Sequence, residues 1–400
     1  MAKNLDEIKT DGALTLYGAA LAAAYLFTSF FLIAHDHYLK TVSKQVEPVC
    51  WPYFESCYRY RLWSNLDVRI ALLFFGMATL VPFFAFLKKK VKLGYFSLAA
   101  VALAHLALIF QDFRNTQNQY YMLMWVVFAY LFWPRKRASL HLLVISFYFW
   151  AGRLKLNWQW LSGHNLYEKL WLIPRRFNSV ACIYVVFLEM LMIWGLLSRN
   201  RIWFWATLAQ LVLFHFMSIS QIGTYYPALM LAILAIYPFS RRVCAPYLPP
   251  PKGAWLAPEF VLMGAFAFFQ VYPSLASWMA SGNRVLDGVG RTFALNMFEG
   301  IYECKVRWIE HYKDGKSVLV DVKVQDTERI QCEPIYYYSK TLNRCRQGAT
   351  DPKFSDLDFY MEIGVKDEIP VTPVIRQRSF CSLTPSFNLF LPNSWIHSGK

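Results

Sequence analysis

The chain has 400 residues, of which 56% are hydrophobic, 18% aromatic and only 17% charged. A soluble domain carries about 25% charged residues, so this composition excludes a disordered chain, a coiled coil, a collagen and a small disulfide scaffold, and it disfavours an ordinary soluble enzyme. The net charge of +15 lies in clusters between long apolar runs, which reads as membrane topology rather than a nucleic-acid footprint, and no nucleic-acid-binding motif is visible.

Residues 1–12 are polar and mixed in charge. Nine apolar runs then reach, or nearly reach, the roughly 17–25 residues of a membrane helix. They are approximately 13–35, 67–87, 93–112, 119–134, 138–157, 178–198, 201–219, 222–240 and 255–275. No small-residue cleavage site follows the first run, so it reads as a retained helix. Pro134 stops the short fourth run. Basic residues gather in alternate short loops. Lys88, Lys89, Lys90 and Lys92 follow the second run, and Arg135, Lys136 and Arg137 the fourth. Arg199 and Arg201 follow the sixth, and Arg241, Arg242 and Lys252 the eighth. The loop after the third run has only Arg114, and the loop after the seventh has none. This bias puts the N-terminus in the cytoplasm and, after nine crossings, the C-terminal region in periplasm or lumen. Pro246, Pro249, Pro250 and Pro251 read as a stiff cytoplasmic linker before the ninth run.

From about residue 281 charges become frequent and no further spanning run occurs. Val306, Trp308 and Glu310 alternate with Arg307, Ile309 and His311. Beyond Asp314-Gly315, Val318, Val320, Val322 and Val324 alternate again, which is a hairpin signal. The expected fold class is an all-α polytopic membrane bundle of about nine transmembrane helices with a C-terminal, mostly β extramembrane domain. The bundle occupies 1–245, the proline-rich linker and last helix 246–280, and the outer domain 281–400. Of eight cysteines, Cys182 falls in a helix and Cys244 in a cytoplasmic loop, while Cys50, Cys57, Cys304, Cys332, Cys345 and Cys381 fall outside. Disulfides form in such a compartment, so at least two of these six are expected to be bonded, one bond tying the first outer loop to the tail. Zinc-type cysteine and histidine spacings are absent, so no metal is expected.

Ionisable groups inside lipid are costly and mark function by default. The sharpest is Lys155, near the outer end of the fifth run, in Tyr148-Phe-Trp-Ala-Gly-Arg-Leu-Lys155-Leu-Asn157-Trp-Gln-Trp160. Spacing alone favours a lysine that snorkels to an aromatic belt of Trp158 and Trp160. An apolar shell would instead favour the neutral amine, a base. Glu189 in the sixth run is placed to pair with Lys155 or His215, and His105 reads as a packing residue.

The string Tyr148-Phe149-x-Ala151-Gly152-x-x-Lys155-Leu156-Asn157-x-x-Trp160-x-x-Gly163 resembles the vitamin K-dependent gamma-carboxylases and their bacterial relatives. His215-x-Met217-Ser218, then Ile222-Gly223-x-Tyr225, is similar too, as is Asn118 before Tyr121. The likeness covers roughly 10–245. It implies that Lys155 is the base that deprotonates reduced vitamin K or another quinol. It implies next that the oxygenated product removes a γ-proton from a glutamate of a protein or peptide on the outer side, which carbon dioxide then traps while the quinone leaves as an epoxide. Asn118, Gln119, Tyr148, Asn157, Trp160, Glu189, His215 and Tyr225 are then the candidates for the quinone pocket. Two departures stand out. Asn157 replaces the usual Asp, and Gln119 stands where the carboxylases have a His; Gln hydrogen-bonds but does not titrate. Lys155 therefore favours a membrane enzyme, and Gln119 favours a non-enzymatic quinone-, lipid- or protein-binding scaffold of the same family. No paired broken helices support a transporter.

Overall fold

A computed structural model describes residues 2–34, 49–54, 57, 65–163, 166, 173–243, 257–279, 294–295, 302–323, 332–365 and 372–397. Cys244, Pro246, Pro249, Pro250, Pro251, Lys252 and Val324, singled out above, lie outside the described residues. The chain divides into two compact units, one made of 1–43, 63–108 and 118–268, the other of 44–62, 109–117 and 269–400.

The first unit is helical. Its elements are α1 (Ala2–Thr10), α2 (Gly12–Ala34), α3 (Asn65–Leu87), most of α4 (Val91–Gln111), α5 (Asn118–Phe132), α6 (Lys136–Leu154), α7 (Trp158–Leu161), α8 (Asn178–Met190), α9 (Arg201–Ile222), α10 (Tyr225–Leu234) and α11 (Ile236–Val243), with the first half of α12 (Pro258–Met279). Among the described residues, five helices are long and apolar enough to cross a membrane: Gly12–Ala34, Asp67–Leu87, Val91–Gln111, Arg175–Leu197 and Arg201–Ile222. The other four apolar runs take shorter, broken or more polar forms. The fourth is the 15-residue α5, and the fifth is α6, which starts and ends among basic residues. The eighth divides at Ala235 into α10 and α11, and the ninth carries Pro273 within α12.

Packing in this unit follows membrane logic, with small residues where helices meet and tyrosine hydroxyls on carbonyls. A Cβ on Gly18 would lie 2.7 Å from the Phe86 ring. Tyr130 Oη donates to the Leu14 carbonyl (3.0 Å), Tyr17 Oη to Ile233 (3.0 Å) and Tyr237 Oη to His141 (2.7 Å). One group of polar contacts joins α1 to the Arg135–Arg137 segment: Glu7 accepts from the Lys136 backbone N–H, and Asp11 from Arg137 Nε at 2.9 Å. Arg135 in turn pairs with buried Glu259 at 2.9 Å, and Arg241 donates to the Arg199 carbonyl at 2.8 Å. These segments are the N-terminus, the loops after the fourth, sixth and eighth runs, and the start of the ninth.

The second unit gathers the loops after the first and third runs with the tail. Phe113 N–H donates to the Val49 carbonyl at 2.9 Å, and Asp112 accepts from Val49 N–H and, through both oxygens, from buried Arg114. The expected hairpin forms as β1 (Tyr302–Tyr312) and β2 (Ser317–Asp321), with Arg307 opposite Asp321 and His311 opposite Ser317. Gly315 turns it at φ +84°, a left-handed conformation that favours glycine. Two further strands, β3 (Phe354–Val365) and β4 (Thr372–Gln377), complete an antiparallel sheet ordered β2-β1-β3-β4. Val306, Trp308 and Glu310 are buried as their alternation requires, whereas Val318 on the edge strand is exposed. The expectation of a mostly β tail omitted a long helix and a short one, Phe380–Leu383. Helix α13 (Pro334–Gly348) buries Ile335, Tyr336, Tyr337 and Tyr338, and Trp308 Nε1 donates to its Thr341 Oγ1 at 3.1 Å.

Among the described residues two disulfides are formed, Cys50–Cys57 and Cys345–Cys381. The bond expected from the first outer loop to the tail is corrected: Cys50 takes the cysteine seven residues on. Phe54 N–H to the Trp51 carbonyl (2.8 Å) and Cys57 N–H to Phe54 (3.1 Å) coil the loop and bring the two Cα atoms within 5.5 Å.

Candidate functional site

Lys155 is the C-cap of α6, buried to 2% exposure. Its Nζ pairs with Glu189 Oε2 on α8, whose side chain is equally buried. The rings of Trp160 and Phe214 face the ammonium at 5.6 and 5.7 Å, a cation–π setting that compensates part of the lost hydration. Close helix approach makes the pair. A Cβ on Gly152, three residues before Lys155, would come 2.7 Å from Met190 Cγ and 3.0 Å from Glu189 Cβ. Just beyond Glu189 the α-helix gives way to a 3-10 stretch, Met192–Leu197, a tightening that often marks functional places in helices.

A second polar pair stands about two helix turns back on α6. Tyr148 Oη hydrogen-bonds His215 Nε2 on α9, both fully or nearly fully buried. His215 Nδ1 has no hydrogen-bond partner among the described residues. Tyr226 places its ring 6.1 Å from the His215 ring. The two pairs share helix α6, from which Tyr148 reaches α9 and Lys155 reaches α8.

The other sequence-predicted residues fall into different roles. Asn157 caps α7, accepting from Trp160 N–H at 2.9 Å and donating to the Leu154 carbonyl at 2.8 Å. Trp160 is anchored by Nε1 to the Cys182 carbonyl at 3.0 Å. Gly163, at φ +81°, ends this segment where a Cβ would meet Asn178 Cβ at 2.8 Å. Tyr225 belongs to another aromatic group, bonded to Thr28 Oγ1 at 2.7 Å and stacked on Phe31 at 4.0 Å. Asn118 and Gln119 open α5, half-buried, and the following Tyr120 packs on His105 at 4.8 Å and Tyr225 at 6.2 Å. His105 lies in rings from Tyr25, Phe75 and Tyr120. An apolar groove of about 390 Å³ opens along α9 between Trp205 and Phe216, and no member of the Lys155 cluster lines it.

Tyr226 and Phe214 were not singled out in the sequence. The signal available was adjacency, since one neighbours Tyr225 and the other His215. Chemically, the cluster offers a buried lysine–carboxylate pair, an imidazole whose Nδ1 has no partner among the described residues, and planar walls. No family model, curated protein or solved structure matches the chain.

Proposed function

We propose that the chain is an integral membrane enzyme that binds a reduced quinone, vitamin K hydroquinone or another quinol, beside Lys155 and removes a phenolic proton, as the resemblance to the gamma-carboxylases implies. The observation that carries this reading is the buried Lys155–Glu189 pair set beside Tyr148–His215 within aromatic walls. The residues fit such a group. Trp160 and Phe214 offer flat apolar surface, and His215 Nδ1 is a buried polar atom without a hydrogen-bond partner among the described residues, the kind of group whose missing hydrogen bond calls for an explanation.

When bound, a quinol supplies an acidic hydroxyl and reducing electrons. Glu189 Oε2 accepts a hydrogen bond from Lys155 Nζ and so holds the amine in place, and Lys155 would serve as the base for the phenolic proton. Tyr148 holds the His215 ring at Nε2 and so leaves Nδ1 to orient the ligand. The surrounding rings keep water from Nζ. Epoxidation and carboxylation of an outer protein glutamate complete the family's reaction. Gln119 cannot carry a proton, so the carboxylation half is the step this chain is least equipped for. That same residue favours the second reading, a non-enzymatic quinone-, lipid- or protein-binding scaffold.

The proposal includes nine crossings, with the N-terminus cytoplasmic and the tail periplasmic or lumenal. Its support is the grouping of segments: the N-terminus contacts the loop after the fourth run, while the loops after the first and third runs pack with the tail. Helix α6, at 19 residues, is about 28 Å long, close to a bilayer core of about 30 Å.

The test uses purified protein in lipid nanodiscs with chemically reduced naphthoquinone under oxygen. Wild type is expected to consume quinol, and Lys155→Ala and Lys155→Arg to lose at least about a hundredfold of the rate, the scale of a general base. An unchanged rate in a folded Lys155→Ala protein rejects the base assignment. Quinol binding without turnover in wild type supports the scaffold.

A further inference from the structure

Helix α13 is the hub of the second unit. Cys345–Cys381 fastens its last turns to the short helix Phe380–Leu383. At its middle, Ser339 Oγ accepts the Cys50 backbone N–H at 3.2 Å, so the loop closed by Cys50–Cys57 docks there. The N-terminal end of α13 is where the two remaining outer cysteines come together. Cys332 is buried two residues before Pro334, and its Sγ lies 3.5 Å from the Tyr302 carbonyl on β1. Cys304 is buried two residues farther along β1, a distance of about 7 Å along a strand. Its Sγ lies 3.8 Å from Tyr337 Oη in the first turn of α13. Cys304 Sγ thus borders the first turn of the helix, and Cys332 Sγ borders β1 two residues away from Cys304.

We propose that Cys304 and Cys332 form a third disulfide, which staples the N-terminal end of α13 to β1 as Cys345–Cys381 staples the other end. The bond rests on the outer location proposed above, because thiols persist in a reducing compartment. The oxidant is a disulfide-bearing thiol oxidase. One cysteine, as thiolate, attacks the oxidant's disulfide and forms a mixed disulfide. The second, having lost its own proton, displaces the oxidant's sulfur. Two protons and two electrons leave the pair, and the oxidant departs as a dithiol. The loop so closed contains β2.

The test is peptide mapping of the purified full-length protein, denatured and alkylated without reductant. A Cys304–Cys332 peptide that disappears on reduction is expected beside the other two linked pairs. Alkylation of both Cys304 and Cys332 in molecules that retain Cys50–Cys57 and Cys345–Cys381 overturns the proposal, as does either one bonded to a different cysteine. Alkylation of all six overturns the outer location and the bond with it. Cys304→Ser should make Cys332, and no other outer cysteine, newly reactive; an unreactive Cys332 in that variant also rejects the pairing.

Discussion

Lys155 and Glu189 are charges with almost no water to return to, so each depends on the other. Removing one partner of a buried pair leaves an uncompensated charge, at about 3–5 kcal/mol, whereas replacing both with apolar residues is often neutral. Lys155→Met and Glu189→Leu should therefore each lower the thermal unfolding temperature in nanodiscs, and the double variant should recover most of the loss while staying inactive. Additive losses would mean that the pair is not coupled. A contrasting carboxylate lies in the second unit. Hydrogen bonds from Arg344 Nε (2.6 Å) and Nη2 (2.7 Å) hold the Glu310 carboxyl below its usual range; burial opposes them, and the Tyr312 hydroxyl at 2.9 Å assists. A folded-state value below the unfolded one stabilises the fold fully above about pH 4.5, and that contribution is lost as pH falls through the folded-state value. Glu310→Gln should lower stability at neutral pH and flatten its fall in the acid range, as measured by urea unfolding of the full-length protein from pH 7 to pH 3. Parallel pH profiles for the two proteins would contradict the assignment.

At the scale of elements, the site depends on how α6 ends and how α8 approaches it. Gly152→Leu would push Met190 and Glu189 away from α6, an overpacking worth about 1–3 kcal/mol. Stability and quinol consumption should fall together, whereas an unaltered melting temperature would show that the helices have slack. Asn157→Ala removes the cap of α7 at about 1 kcal/mol, while Asn157→Asp keeps an oxygen for Trp160 N–H and should be milder in the same melt. The capping role also explains how Asn stands at a position where the resembling family has Asp, since both accept from the same backbone donor. Much of this was legible. The apolar runs became helices, and Asp314-Gly315 marked a real hairpin because a left-handed glycine is a local requirement. Helix α13 was not legible, because its buried tyrosines lie in one unbroken stretch, Tyr336–Tyr338, with no clean helical period. Nor was the Cys50–Cys57 pairing, since which cysteines meet depends on how the loop coils. In the site, the costliness of intramembrane charge pointed to Lys155 and Glu189, but the Tyr148–His215 bond depends on the rotation of two helices about their axes, which local spacing leaves free.

For the whole molecule, the alternating arrangement predicts opposite labelling of two sets of engineered cysteines in a background without native cysteines. Positions at Lys89 and Arg199 should react with membrane-impermeant maleimide only after cell lysis, and a position at Asp314 should react in intact spheroplasts or sealed lumen-out vesicles. The reverse pattern would invert the topology. One contact set described above also constrains how the chain is assembled. Glu7 and Asp11 leave the ribosome 129 and 126 residues before their partners Lys136 and Arg137. At synthesis rates of about 5–20 residues per second this is a wait of roughly 6–26 s. During that interval α1 can pack only on the neighbouring α2, where Thr15 Oγ1 donates to the Ile8 carbonyl at 2.8 Å. Its docking on the Arg135–Arg137 segment therefore waits until the first four apolar runs have been synthesised.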